Sequence, residues 1–521
     1  MGMVAFEQRI ASAYVVACGQ HGAITRQAQA LGTSRQRIYR EHAFVAAAVT
    51  GTGQQQERDR WQARVCEQEN RLAALEKRLH QSVVLDKEKQ KEFATVAQAV
   101  GVSLPSCQLL LKVLLNKRAP KVATLGRWTA AAGKKAGALL AVLDEFTGDK
   151  VKQAAVDEIY TKKPVLMVLE PESMCWVSGR LVPTVSGSEW TEELKKLPHL
   201  QQVTRDAGNG LTKGVVNLNK DRVDQGKTPV ADQLDHFHTL RAGRLIVSQA
   251  QRQAAAALKE AEQAEAEQTR RQRQGKSLGG MYLRRRRSWA KATQAMDVWQ
   301  ARDRAWNGIK AALKLVTPEG ELNTRARAET ALAAALPQLP NDFAKAKRLL
   351  QQTQTLTYLD EVHRQVQALP VPAEIRDAAI RQETLRQRPE LLQGDTIQAA
   401  AVRGLLMVCA VIIAQAGAVG QQAVDGIRRI FRNTWRASSL VECLNSTVRM
   451  QQARHRKMTQ GLLDLKRLHW NTHTFRTGRR RGKSPYESLG VPWPHELGWW
   501  NLLKWTPEQL RAELSAREKT K

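Results

Sequence analysis

The chain has 521 residues, a length that predicts roughly three or four domains and allows a sizeable core. Its 81 Lys and Arg outnumber its 50 Asp and Glu, and the net charge of +31 favours a polyanionic partner, first of all nucleic acid. The six cysteines lie far apart without a C-x-x-C pair, which excludes a zinc finger or ribbon and suits a reducing cytoplasm.

The sequence shows no targeting or membrane segment. The N-terminus, MGMVAFEQRIASAYVV, lacks the basic start, apolar run and cleavage site of a signal peptide. The most apolar stretch, 404–414, falls short of the ~20 residues that a membrane helix needs, so we expect a buried core helix there. We therefore expect a cytoplasmic protein that does not contact a membrane.

Residues 1–50 are predicted to form a helix-turn-helix DNA-binding domain. In the segment 20–41, Gly32 supplies the tight turn, and Thr33 or Ser34 caps the second helix. That second helix carries side chains able to reach phosphates and base edges, namely Arg35, Gln36, Arg37, Tyr39 and Arg40.

Two further helical segments precede the first strands. Residues 51–92 carry apolar positions at helical spacing and predict a long helix, either a short coiled coil or a helix packed on its own domain. Residues 93–150 predict a second helical domain, possibly another helix-turn-helix with its turn at Gly101. Its second helix, over 109–115, is so apolar that we expect it to be buried.

The pattern changes near residue 151, and residues 151–245 predict a mixed sheet. The runs AAVDEIY, PVLMVLEP and MCWVSGRLV predict three antiparallel strands joined by hairpins. A helix begins near Ser188, and a fourth strand, LQQVTRD, ends in Asp206. Residues 232–241 contain a fifth strand or its end.

Residues 246–435 show almost no strand signal and predict an all-helical insertion. One or two helices follow over 436–475, and a basic and then aromatic tail occupies 476–521. Several basic side chains in these regions are predicted to contact DNA phosphates, which gives affinity without sequence information. They are Arg284, Arg285, Arg286, Arg287, Arg454, Arg456, Lys457, Arg479, Arg480, Arg481 and Lys483.

The order of these elements resembles the ribonuclease H-like core of DDE transposases. The residues that match its three acids are Asp157 in AAVDEIY, Asp206 in VTRDAGNG and Glu442 in SSLVECLNSTVR. Asp235 and His238 fit the Cys/Asp-x-x-His motif of Mutator-like and hAT-like transposases. The stretch from SSLVECLNSTVR to GKSPYESLG resembles the end of many bacterial insertion-sequence transposases, without assigning one family among them.

The resemblance implies a multidomain α + α/β fold. An N-terminal helical, helix-turn-helix region would precede a ribonuclease H-like mixed-sheet core over 151–245 and 436–475, which the helical insertion interrupts. The resemblance also implies that Asp157, Asp206 and Glu442 hold two Mg²⁺ or Mn²⁺ ions, with Asp157 as the bridging ligand. The implied partners are double-stranded DNA, as terminal inverted repeats and target, and further copies of the chain in a homodimer or larger oligomer. The implied location is the bacterial cytoplasm, in association with the nucleoid.

Other carboxylates compete for the ligand positions. Glu158 would point to the opposite face of its strand. Glu170 and Glu172 end the second strand, and Asp232 and Asp235 come late in the strand order for the second acid.

Two other functions stay open beside strand transfer. One is a DNA-binding regulator, or domesticated transposase, without cleavage activity, and the other is a ribonuclease H-like nuclease that cuts without joining. The sequence contains neither a P-loop nor a G-x-S-x-G motif, so we expect neither a nucleotide cofactor nor serine-hydrolase chemistry.

Overall fold

The computed structural model describes most of the chain, namely residues 3–81, 85–160, 162–394, 396–454, 458–496 and 498–520. It divides into two compact units, Met1–Lys89 and Gln90–Lys521. The described residues are mostly helical, and a five-stranded mixed sheet lies in the second unit. This confirms the predicted combination of helical and α/β structure.

The first unit is helical, and two of its helices frame the predicted tight turn. Gly32 lies between them with a φ of +59°, which glycine adopts without steric penalty. Ser34 caps the following helix by accepting a hydrogen bond from the backbone N–H of Arg37. The helices are α1 (Met3–Cys18), α2 (Ala23–Ala30), α3 (Arg35–Val49) and α4 (Thr52–Gln81).

The long helix α4 exposes the apolar side chains that lie at helical spacing. Trp61, Leu72 and Leu75 are each more than half exposed. These side chains therefore do not pack into a core formed by the described residues of the chain.

Three helices follow α4 and precede the sheet in the chain. They are α5 (Lys87–Val100), α6 (Leu104–Leu115) and α7 (Val122–Gly148). The expectation that the apolar helix α6 is buried is wrong for most of its length. Leu111 is buried, but Leu109 is 64% exposed and Val113 is 75% exposed. The reason is that apolar residues lie on all sides of the helix, whereas only one side packs against the rest of the chain.

The sheet has the strand order β3-β2-β1-β4-β5. Strands β1, β2 and β3 form an antiparallel meander, as the hairpin pattern predicts, whereas β1 and β4, and β4 and β5, run parallel. The strands are β1 (Gln153–Tyr160), β2 (Pro164–Glu170), β3 (Cys175–Leu181), β4 (Gln202–Arg205) and β5 (Ala231–Leu234). The central strand is thus β1, and its parallel neighbour β4 ends just before Asp206.

Alternate side chains of β1 enter two different cores, one on each face of the sheet. Ala154 and Val156 pack with the helices that follow β3 and β4. Ala155 and Ile159 pack with two helices from the C-terminal part of the chain. The four helices are α8 (Gly187–Lys195), α9 (Asn209–Asp224), α18 (Ser439–Arg454) and α19 (Gln460–Thr472). Asp157 points to the same face as Ala155 and Ile159, the face on which α18 packs.

Helix α7 and helix α19 pack against each other closely enough to leave no room for side chains at one point. A Cβ atom on Gly133 would lie 2.7 Å from the carbonyl oxygen of Gly461. The adjoining core contains Leu139, Leu143 and Leu465 together with residues of the C-terminal helices. Those helices are α20 (Pro485–Leu489), α21 (Trp499–Leu502) and α22 (Pro507–Lys519).

Among its described residues, the long region between β5 and α18 consists of helices and their connections, with one isolated β-bridge between Val316 and Leu322. Helix α10 runs without a break from His236 to Arg273, so one continuous helix leaves the sheet and crosses the predicted boundary at residue 245. A core around Trp306 and Tyr358 holds the region together. The helices are α10 (His236–Arg273), α11 (Met281–Ala312), α12 (Arg325–Ala335), α13 (Ala344–Leu350), α14 (Thr357–Gln367), α15 (Ala373–Arg386), α16 (Ile397–Gln415) and α17 (Gly417–Arg432).

The expectation of a buried core helix over 404–414 is wrong. This stretch lies in α16, where Met407 is 70% exposed and Val408 and Val411 are more than half exposed. The helix has few neighbours, so its apolar composition does not translate into burial. On length and composition alone α16 could cross a membrane, which is weak evidence because core helices of soluble proteins pass the same test.

We expect Gly133→Ala to destabilise the second unit by about 1–3 kcal/mol, because the new methyl group would overlap the backbone of α19. Gly126→Ala in the same helix is the matched control. Its Cβ would meet Leu104 at an ordinary 3.5 Å, and alanine favours the helix by up to about 1 kcal/mol. Thermal unfolding of the two variants measures the difference, and an undiminished Tm for Gly133→Ala would contradict the close helix contact.

Candidate active site

Parallel pairing of β1 and β4 brings two of the predicted acids to one edge of the sheet. Ala155 pairs with Thr204, so Asp157 and Asp206 each lie two residues further along their chains, towards the carboxyl ends. Asp206 follows the last residue of β4 and accepts a hydrogen bond from the backbone N–H of Gly208 at 2.8 Å. The tight turn after the strand thereby orients the Asp206 carboxylate.

The third predicted acid, Glu442, comes from helix α18. Val441, Leu444 and Val448 of this helix pack on the face of the sheet that also carries Ala155. Glu442 lies in the first turn of the helix and is partly exposed, with Arg449 as its ion-pair partner at 3.2 Å. The helix therefore presents Glu442 beside the edge where Asp157 and Asp206 lie.

The three carboxylates interact electrostatically. Asp157 is only 7% exposed, and burial raises its pKa to about 6, with further contributions from the negative charges of Asp206 and Glu442. Mutual repulsion of this kind arises only between groups that lie near one another. The structure thus brings together acids that are far apart in the sequence. Asp206 comes 49 positions after Asp157, and Glu442 comes 236 positions after Asp206.

Sequence reasoning missed one residue of the site, Asn445. It is fully buried, and its Nδ2 donates a hydrogen bond to Oδ2 of Asp157 at 2.6 Å. Its Oδ1 is also buried and has no hydrogen-bond partner among the described residues. The signal in the sequence is the E-x-x-N spacing, which places Asn445 one helical turn after Glu442 and on the same side of α18.

Asp235 and His238 form a dyad beside the acids. The Nδ1 atom of His238 lies 2.5 Å from Oδ2 of Asp235. This hydrogen bond raises the pKa of His238, and the charges of Asp157 and Asp206 raise it further. The side chain of His238 is 38% exposed, so its imidazole is held through one nitrogen and remains accessible beside the carboxylates.

The competing carboxylates have other partners. Asp232 accepts two hydrogen bonds from the guanidinium of Arg205, at 2.8 and 2.7 Å. Glu170 accepts hydrogen bonds from the backbone of the turn that follows β2. Glu158 faces the other layer of the sheet, where Trp190 Nε1 donates to it at 2.9 Å. These contacts give the three acids structural roles.

The donor atoms at the edge are of the chemical type that hard divalent cations prefer. Asp157, Asp206 and Glu442 offer carboxylate oxygens, which Mg²⁺ and Mn²⁺ prefer. Burial is the main cause of the raised pKa of Asp157, and a cation would relieve the repulsion from Asp206 and Glu442 that adds to it. As placed, no group of three or more His, Cys, Asp or Glu within the described residues is close enough to hold an ion.

The predicted DNA-binding residues that the structure describes belong to α3, to the start of α11 and to the loop after α19. Arg35, Gln36, Arg37, Tyr39 and Arg40 are exposed on α3, where Ile38 alone turns inward between them. Arg284, Arg286 and Arg287 are exposed at the start of α11, whereas Arg285 is partly buried and lies 3.6 Å from Glu265. Arg479, Arg480, Arg481 and Lys483 lie in a loop after α19. The side chain of Arg454 and all of Arg456 and Lys457 lie outside the described residues.

Comparisons of the chain with models of protein families, with curated proteins and with solved structures found no match. The geometry of the chain's own residues is therefore the basis for a functional proposal.

We expect Asn445→Leu, which keeps the branched shape but removes the donor to Asp157, to weaken Mn²⁺ binding by about 10–100-fold, as loss of a residue that orients a metal ligand commonly does. Isothermal titration calorimetry on the full chain measures the affinity. Ser446→Ala, one residue on and exposed, is the matched control. A folded Asn445→Leu protein with unchanged Mn²⁺ affinity would rule out the positioning role.

A pH dependence of stability follows from His236, which precedes His238 of the dyad by two residues. Burial lowers the pKa of His236 from 6.5 to about 4, and its Nε2 lies 2.7 Å from the carbonyl oxygen of Thr355. The unfolded chain therefore binds the extra proton first, and stability falls as the pH drops from about 6.5 to about 4, by up to about 3 kcal/mol. His236→Gln, which retains an N–H donor, should lose less stability over this range in denaturant titrations at pH 7 and 5. Equal losses in the two proteins would assign the pH dependence to other groups.

Proposed function

We propose that the chain is a DDE-type DNA transposase. It would hydrolyse DNA at the ends of its element and transfer the freed 3′-OH ends into target DNA. The observation that carries the proposal is the convergence of Asp157, Asp206 and Glu442 at the carboxyl edge of the two central parallel strands, where their charges interact. Metal-dependent phosphoryl transfer is the chemistry that such a set of carboxylates supports best.

The sheet supports the finer assignment to a ribonuclease H-like core. Three antiparallel strands are followed by two parallel strands, and the first strand lies centrally beside the strand that precedes the second acid. The third acid comes from a helix packed on the same sheet after a long helical region. This order is the one that the resemblance to DDE transposases implies.

In this mechanism the residues of the chain position two divalent ions and the scissile phosphate. Two bound Mg²⁺ or Mn²⁺ ions stabilise the attacking and the leaving oxygen of an in-line displacement. Asp157, the most buried of the three acids, would be one of the ligands that hold the ions, and Asn445 fixes the direction of its carboxylate. Asp206 and Glu442 would supply the other carboxylate ligands to the ions.

His238 supplies a proton-transfer or phosphate-contacting group at the same edge. Asp235 orients its imidazole through Nδ1, and the raised pKa favours the protonated form, which suits contact with a phosphate oxygen. The exposed cations of α3 supply the separate DNA contacts that a transposase needs to find its terminal inverted repeats. Two element ends require at least two copies of the chain, so a homodimer or larger oligomer assembles on the DNA.

The test uses a supercoiled plasmid that carries the terminal repeats of the element encoding the chain, with Mg²⁺ or Mn²⁺ against EDTA. We expect metal-dependent nicking and joining at the repeat ends. Asp157→Asn, Asp206→Asn and Glu442→Gln should each lower the cleavage rate at least about 10³-fold, because each removes a carboxylate worth several kcal/mol in the transition state. Binding to the repeats should persist in all three variants.

Glu158→Gln is the matched control, because Glu158 is on the same strand as Asp157 but faces the other layer. It should retain cleavage. Cleavage that survives Asp157→Asn but not Glu158→Gln would contradict the assignment of the first ligand. Binding to the repeats without any cleavage would favour a DNA-binding regulator, and cleavage without joined products would favour a nuclease.

A further inference from the structure

A basic groove lies between the C-terminal half of α17 and the loop 479–483. Its volume is about 510 Å³. Arg428, Arg429 and Arg432 of α17 line it together with the four cations of the loop, against two carboxylates, Glu172 and Asp425. We call this cavity the basic groove.

The loop side of the groove is held in place by contacts that leave its charges exposed. The guanidinium of Arg480 donates to the backbone carbonyl oxygens of Glu172 and Pro171, at 2.6 and 2.7 Å. Arg479 lies over the ring of Trp435, 5.8 Å from its centroid. Burial and then the neighbouring charge of Arg479 lower the pKa of Arg480. The cations thus lie close together at fixed positions. Their mutual repulsion is unfavourable while the groove is empty and favours the binding of an anion.

Most cations of the groove lack a carboxylate partner. Arg428 is the exception, since its Nε lies 2.9 Å from Glu383. For Arg429, Arg432 and Arg481, no ion pair is present within the part of the chain that the structure describes, and all three are exposed. Arg429 and Arg432 are three residues apart and share one side of α17. The groove therefore presents exposed cations from both α17 and the loop, and more cations than carboxylates.

We propose that the basic groove binds the phosphate backbone of double-stranded DNA at a distance from the cut site. This inference rests on the proposed function and identifies a surface that binds the DNA substrate outside the catalytic site. A single phosphate ion would be matched by one or two cations, whereas exposed cations from both α17 and the loop along an open cavity match successive phosphates of a strand. Contacts of this kind position the duplex without reading its sequence.

The groove and the acidic edge lie towards opposite ends of the same strand. The backbone carbonyl oxygen of Trp435, whose ring contacts Arg479, accepts a hydrogen bond from Gln202 Nε2 at 3.0 Å. Gln202 begins β4, and Asp206 follows its end. At roughly 3.3 Å per residue, Gln202 and Asp206 are about 13 Å apart along β4, a length comparable to about four base pairs of duplex. One DNA segment can therefore contact both.

The test compares the affinity of the full chain for a fluorescent duplex, by anisotropy, over about 50–200 mM salt. The variant is the double substitution Arg429→Ala with Arg481→Ala, one cation from each side of the groove. We expect binding to weaken about tenfold or more and the slope of log affinity against log salt to fall by about 2, near 0.9 for each lost phosphate contact. The control is Arg304→Ala with Arg348→Ala, the same charge change on exposed residues outside the groove, which should leave the slope unchanged.

The outcomes separate this inference from the proposed function. Unchanged affinity and slope in the groove variant, with a wild-type chain that binds and cuts DNA, would overturn the groove and leave the transposase proposal standing. A variant that lost affinity only for an RNA hairpin, and not for the duplex, would overturn the groove as a DNA site in the same way. A wild-type chain that binds no duplex would overturn both. The Asp157→Asn variant should bind the duplex with the affinity of the wild type, since the substitution removes DNA cleavage and not DNA binding.

Discussion

The arrangement of the candidate site depends on one buried carboxylate, that of Asp235, which is 2% exposed. It accepts hydrogen bonds from the backbone N–H of Phe237, from Nδ1 of His238, and from the backbone N–H and hydroxyl of Ser438. A buried carboxylate is unfavourable unless its oxygens are satisfied, so these partners are held firmly. Because Ser438 immediately precedes α18, the same contacts fix the start of the helix that carries Glu442. One side chain at the end of β5 therefore sets the position of an acid that comes roughly two hundred residues later in the chain.

Two further contacts hold together the two ends of the helical region that lies between β5 and α18. The backbone N–H of His236 donates to the carbonyl oxygen of Arg436 at 2.8 Å, and Gln202 Nε2 donates to that of Trp435 at 3.0 Å. The chain therefore leaves the sheet and returns to it at neighbouring points. Since the entropy of closing a loop grows only slowly with its length, a long helical region between these points adds little to the difficulty of bringing Glu442 to the sheet. Such a region can carry DNA contacts without displacing the acids.

The sequence predicted the parts of the site that depend on local patterns. Short apolar runs located the strands, and the glycines after Asp206 marked the turn that orients it. Glu442 came from resemblance to a family and not from periodicity. Asn445 was missed because its role depends on which face of α18 meets β1, a matter of packing between segments far apart in the chain. The same reason explains α16, where apolar composition predicted burial but the fold supplies few neighbours.

The three acids lie beyond the carboxyl end of β4, and the basic groove is connected through Trp435 to Gln202 at the start of that strand. Repulsion within each group is unfavourable in the free chain, because like charges held close together destabilise one another. Under the two proposals, divalent ions relieve the acidic end and DNA phosphates relieve the basic end. A strand of DNA that reaches both ends would also bring its scissile phosphate to the metal ions, so each ligand should bind better in the presence of the other. Such coupling is reciprocal, and it gives a physical reason for ions to be retained at the acids mainly when substrate is in place.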